Sequence, residues 1–186
     1  MAVTAKKIQH KESQFEKLLQ EQVRNELTAS QQYIAVAVWF DDNDLPQLAA
    51  HFYRQSLEER NHGMMIVQYL MDNDITPQIP AIEQVRNEFS ETRELIALAL
   101  EQEREVTREI ETLAKTARDE GNYLGEQFMQ WFLKEQVEEV SSMSTLLNVV
   151  DRAKGDLFSV ETWLARESVG DGGQDPTAPK AAGGAL

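Results

Sequence analysis

The stretch Gln55-Ser56-Leu57-Glu58-Glu59-Arg60-Asn61-His62 decides how this 186-residue chain is read. It sits in a run whose apolar face is Leu45, Leu48, Phe52, Gln55, Glu59, His62, Ile66 and Tyr69, in steps of three and four. Such spacing marks one face of a long amphipathic helix. Midway along that face, where a core residue should stand, the chain carries Glu59 and His62. A buried carboxylate without a partner costs on the order of several kcal/mol or takes up a proton. A single interruption of this kind is weak evidence, because a helical Glu is more often solvated or salt-bridged.

Working outward, three further stretches repeat the pattern. The first reads Phe15, Leu19, Gln22, Glu26, Ala29, Tyr33, Val36, Phe40. The third reads Ile96, Ala99, Glu103, Val106, Ile110, Leu113, Ala117, and the fourth Met129, Phe132, Gln136, Glu139, Met143, Leu146, Val150. Asp44 is the expected N-cap of the second helix, with Pro46 in its first turn. The third helix is expected to start near Ser90 or Thr92 and to stop before Gly121. After Gly155 and Asp156 a short amphipathic fifth helix, 157–166, carries Phe158, Trp163 and Leu164.

The connections set the arrangement. About Asp41 to Asp44 joins the first two helices and about Glu120 to Asn122 the last two, so each pair is an antiparallel hairpin. Between the pairs, about Asn73 to Thr92 contains Pro77 and Pro80 and has no helical period. Fully extended it spans roughly 60 Å, more than the roughly 40 Å of the helices beside it, so it can carry the chain the length of a bundle. The expected fold is all-α: a four-helix bundle with a long crossover and an appended fifth helix.

Depth along the hairpins now matters. Glu26 stands 17 residues before Asn43, while Glu59 and His62 stand 16 and 19 after it; Glu103 stands 18 before Gly121, and Gln136 and Glu139 stand 15 and 18 after it. Four helices therefore bring oxygen and imidazole donors to one level. That coincidence fits a metal site in a bundle core better than four independent accidents. His10 and His51 are read as a terminal and a helix-surface residue and are not nominated.

Composition agrees. Hydrophobic residues are 41% and charged residues 27% of the chain, as in a globular domain. Cysteine is absent, so a metal must be held by oxygen and imidazole nitrogen. The net charge of -14 repels nucleic acid and anionic lipid and gathers cations. No apolar run approaches a membrane span, and the polar start is unlike a signal peptide, so the expected location is cytoplasmic. Residues 1–167 are read as one domain, and the Gly-, Ala- and Pro-rich 168–186 as a disordered tail.

Glu26 with Tyr33 seven residues on, the Gln55 to His62 stretch, and Gln130-Trp131-Phe132-Leu133-Lys134-Glu135-Gln136-Val137-Glu138-Glu139 together resemble the ferritin helices, from about Phe15 to Arg166. Among ferritin-like di-iron carboxylate proteins the chain is most similar to bacterial non-haem ferritins of an actinobacterial type. The resemblance implies iron storage with ferroxidase activity. Glu26, Glu59, His62, Glu103 and Gln136 match the ferroxidase ligands, with Glu59 bridging two irons. Glu58, Glu135, Glu138 and Glu139 match a third iron position leading toward a cavity, and Tyr33 and Trp131 match the nearby redox-active aromatics. It also implies a hollow homo-oligomeric shell of twenty-four subunits, with dioxygen or peroxide as oxidant. Arg60 stands where a bacterioferritin's haem-ligating methionine would be, so haem is not expected. The fourth helix has Gln136-x-x-Glu139 rather than a second Glu-x-x-His, which counts against the alternative of a rubrerythrin-like di-iron oxidase or peroxidase without mineral storage. A purely structural bundle is the remaining alternative.

Overall fold

The structure, a computed structural model, describes residues 12–167 and 175–186. His10 and residues 168–174 lie outside the described residues. Five helices follow one another, α1 (Gln14–Asp42), α2 (Pro46–Asp72), α3 (Thr92–Asp119), α4 (Tyr123–Ala153) and α5 (Leu157–Arg166), with no strand among the described residues. The all-α four-helix bundle with a short fifth helix is the fold the spacing predicts.

Local chemistry sets the ends. α1 opens on a capping box, in which Ser13 accepts from the Glu16 N–H and the Glu16 side chain accepts from the Ser13 N–H. α4 opens on Asn122, whose side chain accepts from the Gly125 N–H at 2.9 Å. Asp44, the expected cap of α2, does not cap it. Asp44 takes a left-handed backbone (φ 57°) that closes the turn, and Leu45 occupies the cap position without a side-chain bond. The first donors of α2 are met instead from α5, where Glu161 accepts from the Gln47 and Leu48 N–H groups at 2.8 and 2.9 Å. A helix start needs acceptors but does not care where in the sequence they come from, and this one places a negative charge at the positive end of the helix.

The crossover runs along the outside of α1, which is lined with side chains that bind its backbone. Gln20 donates to the Thr76 carbonyl at 3.4 Å and accepts from the Gln78 N–H at 3.1 Å. Further up, Thr28 accepts from the Glu83 N–H at 3.3 Å, and Gln32 both donates to the Arg86 carbonyl and accepts from its N–H at 2.9 and 2.8 Å. These bonds give an unpaired extended segment the partners that a sheet would otherwise supply. They also deliver the chain to the far end of the bundle, where α3 begins.

The core is divided. One apolar cluster gathers Phe40, Leu48, Phe52, Ile96 and Leu146 at the α5 end; the other gathers Phe15, Leu19, Ile66, Ile110 and Phe132 at the opposite end. On each of the four long helices the residues between the two clusters are the buried polar ones: Glu26, Glu59 with His62, Glu103, and Gln136 with Glu139. Among the described residues no helix is long and apolar enough to cross a membrane.

Candidate metal centre

Each helix brings its side chain to the polar layer by the same three-and-four spacing that builds the cores above and below it. Glu26, Glu59 and Glu103 are each 1% exposed, and His62 is 4% exposed. Glu26, Glu59 and His62 each offer a ligand atom within 4.8 Å of the others. α1 and α2 come this close because residue 63 is glycine: a Cβ there would stand 3.3 Å from the Glu26 Cβ.

The hydrogen bonds hold one oxygen of each acid and leave the other. Gln22 donates to Glu26 Oε1 at 2.9 Å, His62 Nδ1 lies 3.4 Å from Glu59 Oε2, and the Tyr33 hydroxyl donates to Glu103 Oε1. Glu26 Oε2, Glu59 Oε1 and Glu103 Oε2 are buried with no hydrogen-bond partner. Three orphaned carboxylate oxygens at one level are what a cation would satisfy. The Thr107 hydroxyl lies 2.8 Å from the Glu103 carbonyl and 2.9 Å from the Gln136 amide. Both are acceptors, the second being Gln136 Oε1, and the single hydroxyl proton is shared between them. With Oε1 held there, the Gln136 amide N–H is left to donate to Glu103, whose carboxyl it lowers.

Burial pushes the Glu26 carboxyl well above the ordinary range, and the charge of Glu59 adds to it. Glu59 is pushed up by burial and then by Glu103, and Glu139 by burial and then by Glu103, Glu58 and Glu135. Burial also raises Glu103, against the Tyr33 hydrogen bond that lowers it. Tyr33 itself is raised, first by burial and then by Glu103, and so stays protonated as the donor. For a carboxylate raised in this way the folded state holds protons that the unfolded chain has already released. The metal-free fold therefore loses stability as pH climbs from the ordinary carboxylate value of 4.5 through the raised values. Binding a divalent cation near neutral pH is expected to expel those protons. Adding Zn(II) to weakly buffered metal-free protein should acidify the solution, as followed by an indicator dye; binding without proton release would mean that the acids are already ionised.

Of the other nominated residues, Glu139 is buried and electrostatically joined to Glu103, Glu58 and Glu135. Glu58 accepts from Gln55 Nε2, and Glu58 and Glu135 line a cavity with His62 and Trp131. The Trp131 ring meets the His62 ring edge-on, with centroids 5.7 Å apart. Glu138 stands apart, exposed on α4, where its charge acts on Lys134. His51 is not the surface residue its spacing suggests. It is 1% exposed, its Nε2 has no hydrogen-bond partner, and burial, then the charge of Arg54, lowers its pKa to about 4. α2 packs against α5 as well as α1, so its buried arc is wider than the apolar stripe. The orienting roles of Gln22 and Thr107 escape a reading that looks only for ligands. Their offsets of four residues before Glu26 and four after Glu103 are the signal that could have found them.

Residues 16–153 match the family model described as a ferritin-like domain. The chain is 61% identical over 175 residues to Ferritin BfrB of Mycolicibacterium smegmatis, covering 94% of this chain and 96% of the relative. It is 35% identical over 138 residues to the bacterial non-heme ferritin of Staphylococcus aureus, covering 74% and 83%. Among solved structures, an open pore ferritin from the hyperthermophilic archaeon Archaeoglobus fulgidus superposes with a TM-score of 0.79 at 23% identity, over 83% of this chain and 96% of that one, which shows the shared fold.

Proposed function

The chain belongs to the ferritin family, and from that premise we propose that it is an iron-storage subunit that oxidises Fe(II) at a centre inside its own bundle. The observation that carries this reading is the set of three buried carboxylate oxygens, on Glu26, Glu59 and Glu103, that have no hydrogen-bond partner, with Glu26 and Glu59 offering ligand atoms within 4.8 Å of each other and of His62. Glu26 and His62 hold one Fe(II), Glu103 and Gln136 hold a second, and Glu59 bridges them. Each ion gives one electron, and with two protons the pair reduces a shared dioxygen to hydrogen peroxide or a shared hydrogen peroxide to two waters; hydrolysis of the Fe(III) releases protons to the solvent. Tyr33, hydrogen-bonded to Glu103, is the nearest phenol able to supply a further electron. Fe(III) then moves by way of Glu58, Glu135 and Glu139, a third cation position, into a cavity enclosed by a shell of twenty-four copies in the cytoplasm. Carboxylates with one imidazole and one amide bind iron less firmly than a site with two histidines, which suits onward transfer.

Aerobic addition of Fe(II) to the metal-free protein tests the proposal, with oxidation followed by absorbance and the product sized together with its iron. Hundreds of ferric ions per assembly, co-eluting with a large shell, are expected. Saturation at about two irons per chain in a small oligomer would overturn storage and leave a di-iron enzyme.

A further inference from the structure

Thr28, Thr107, Thr112 and Thr116 each donate their hydroxyl proton to the carbonyl four residues back, at 2.8 Å. The bond is a common habit of helical threonine and by itself asks for no function. Its consequence is that the proton is engaged while the oxygen keeps lone pairs free to accept. Thr28 uses one of them, because the Glu83 N–H of the crossover donates to its oxygen at 3.3 Å. Thr107 meets a different neighbour. At 2.9 Å from its hydroxyl stands Gln136 Oε1, a second acceptor, so one proton serves two acceptors.

Gln136 is 3% exposed, so its amide must find partners among the side chains around it. With Oε1 on Thr107, its N–H is the group turned to Glu103. Glu103 Oε1 takes the Tyr33 hydroxyl, and Oε2 is buried without a partner. The first cation position is therefore assembled, from Glu26, Glu59 and His62, while the second presents a donor where a cation needs an oxygen. The last torsion of a glutamine is broad rather than confined to staggered wells, and a half turn about it exchanges the two faces of the amide. We infer that Thr107 is a positioning residue of the second cation position: its hydroxyl holds Gln136 Oε1 aside in the empty centre and accepts the amide N–H once Oε1 has turned to the cation. The inference rests on the iron-oxidising reading of the centre.

The hydrogen-bond count favours this over a threonine that merely closes on its own helix. In the empty centre the amide N–H is well placed, since it donates to a carboxyl. A cation on Glu103 reverses that preference, because it repels the N–H and attracts the amide oxygen. After the half turn Thr107 donates to the Glu103 carbonyl alone and accepts from Gln136, which is the arrangement Thr28 already has with Arg24 and Glu83. The hydroxyl, as donor and acceptor in one group, thus serves both orientations, and the β-branch and the back-bond keep its oxygen in one place. Without it the turned amide would leave a buried N–H unpaired beside the cation. Outer partners that orient a metal ligand commonly change metal affinity by about 10-fold to 100-fold when removed, and a neutral amide belongs at the lower end, about tenfold.

The test uses the full-length assembled protein and three variants: Thr107→Val, which keeps the branched shape, Thr107→Ala, which keeps only helix propensity, and Thr107→Ser, which keeps the hydroxyl. Anaerobic Co(II) titration, followed by calorimetry and by the visible spectrum, reads the first and second equivalents per chain separately. Thr107→Val and Thr107→Ala should weaken the second equivalent about tenfold and leave the first within about twofold of the parent, while Thr107→Ser should bring the second back to within about threefold. A parental second equivalent in both variants that lack the hydroxyl would overturn the inference. So would equal weakening of both equivalents, which marks a general loosening of α3 against α4, or a Thr107→Ser protein as defective as Thr107→Val. Failure of the unaltered protein to bind two Co(II) per chain would instead overturn the reading of the centre itself.

Discussion

Glu59→Ala is expected to abolish rapid Fe(II) oxidation while the helices stay folded and the subunits still assemble. Glu59 faces Glu26 and His62 across one level and is charge-coupled to Glu103, so it is the acid best placed to touch two cations at once. Without it the remaining donors form two incomplete sites with nothing to hold their ions together. A loss of initial rate of about 100-fold or more follows, since even partners outside the coordination sphere cost 10-fold to 100-fold. The effect on stability has the opposite sign. Glu59 raises the Glu26 carboxyl by repulsion, on top of burial, so removing its charge relieves the metal-free fold. Glu59→Gln keeps the shape and should melt higher than the parent without metal, more clearly at pH 7 than at pH 5, where more of the raised carboxyls are already neutral. Unchanged oxidation kinetics in Glu59→Ala would sink the assignment of the centre.

The fold was legible because periodicity on four helices and two short loops leaves few arrangements, and the ends of α5 fall where the sequence puts them. The level of the centre was legible for the same reason: antiparallel hairpins turn distance from a loop into depth. What was hidden was whatever depends on contacts between remote segments. Glu161 caps a helix that begins more than a hundred positions earlier, and no local rule connects it with Gln47. Asp44 resembles a cap in sequence and is used as the left-handed residue of the turn instead. Asp175 reaches Trp131 from a segment that composition alone reads as a disordered tail.

The second large effect is expected at Phe52, which lies outside the ligand set but supports it. Phe52 is fully buried, stacked on Phe40 with ring centroids 5.5 Å apart and tilted against Tyr33 at 5.6 Å. Phe52→Ala leaves a void beside Tyr33, Phe40 and His51, and such truncations cost about 3–5 kcal/mol. For a chain of this size each kcal/mol moves the melting temperature by roughly 2–4 °C, so a drop of about 10 °C is expected at matched protein concentration. The site feels it too. Tyr33 is positioned by Phe52 on its ring and by Glu103 at its hydroxyl, and that hydroxyl is the first of the contacts, with His62 and Gln136, that lower the raised Glu103 carboxyl. Once the ring can tilt into the void, Glu103 loses that donor, holds its proton more tightly and binds the second cation more weakly. Tyr33→Phe separates the two consequences, because it keeps the packing and removes only the hydrogen bond. It should melt near the parent yet oxidise iron more slowly, whereas Phe52→Ala should show both defects. A Phe52→Ala protein that oxidises iron at the parental rate despite its lower melting temperature would show that Glu103 is held by the bundle without help from Tyr33, and that the apolar cluster at the α5 end contributes stability alone.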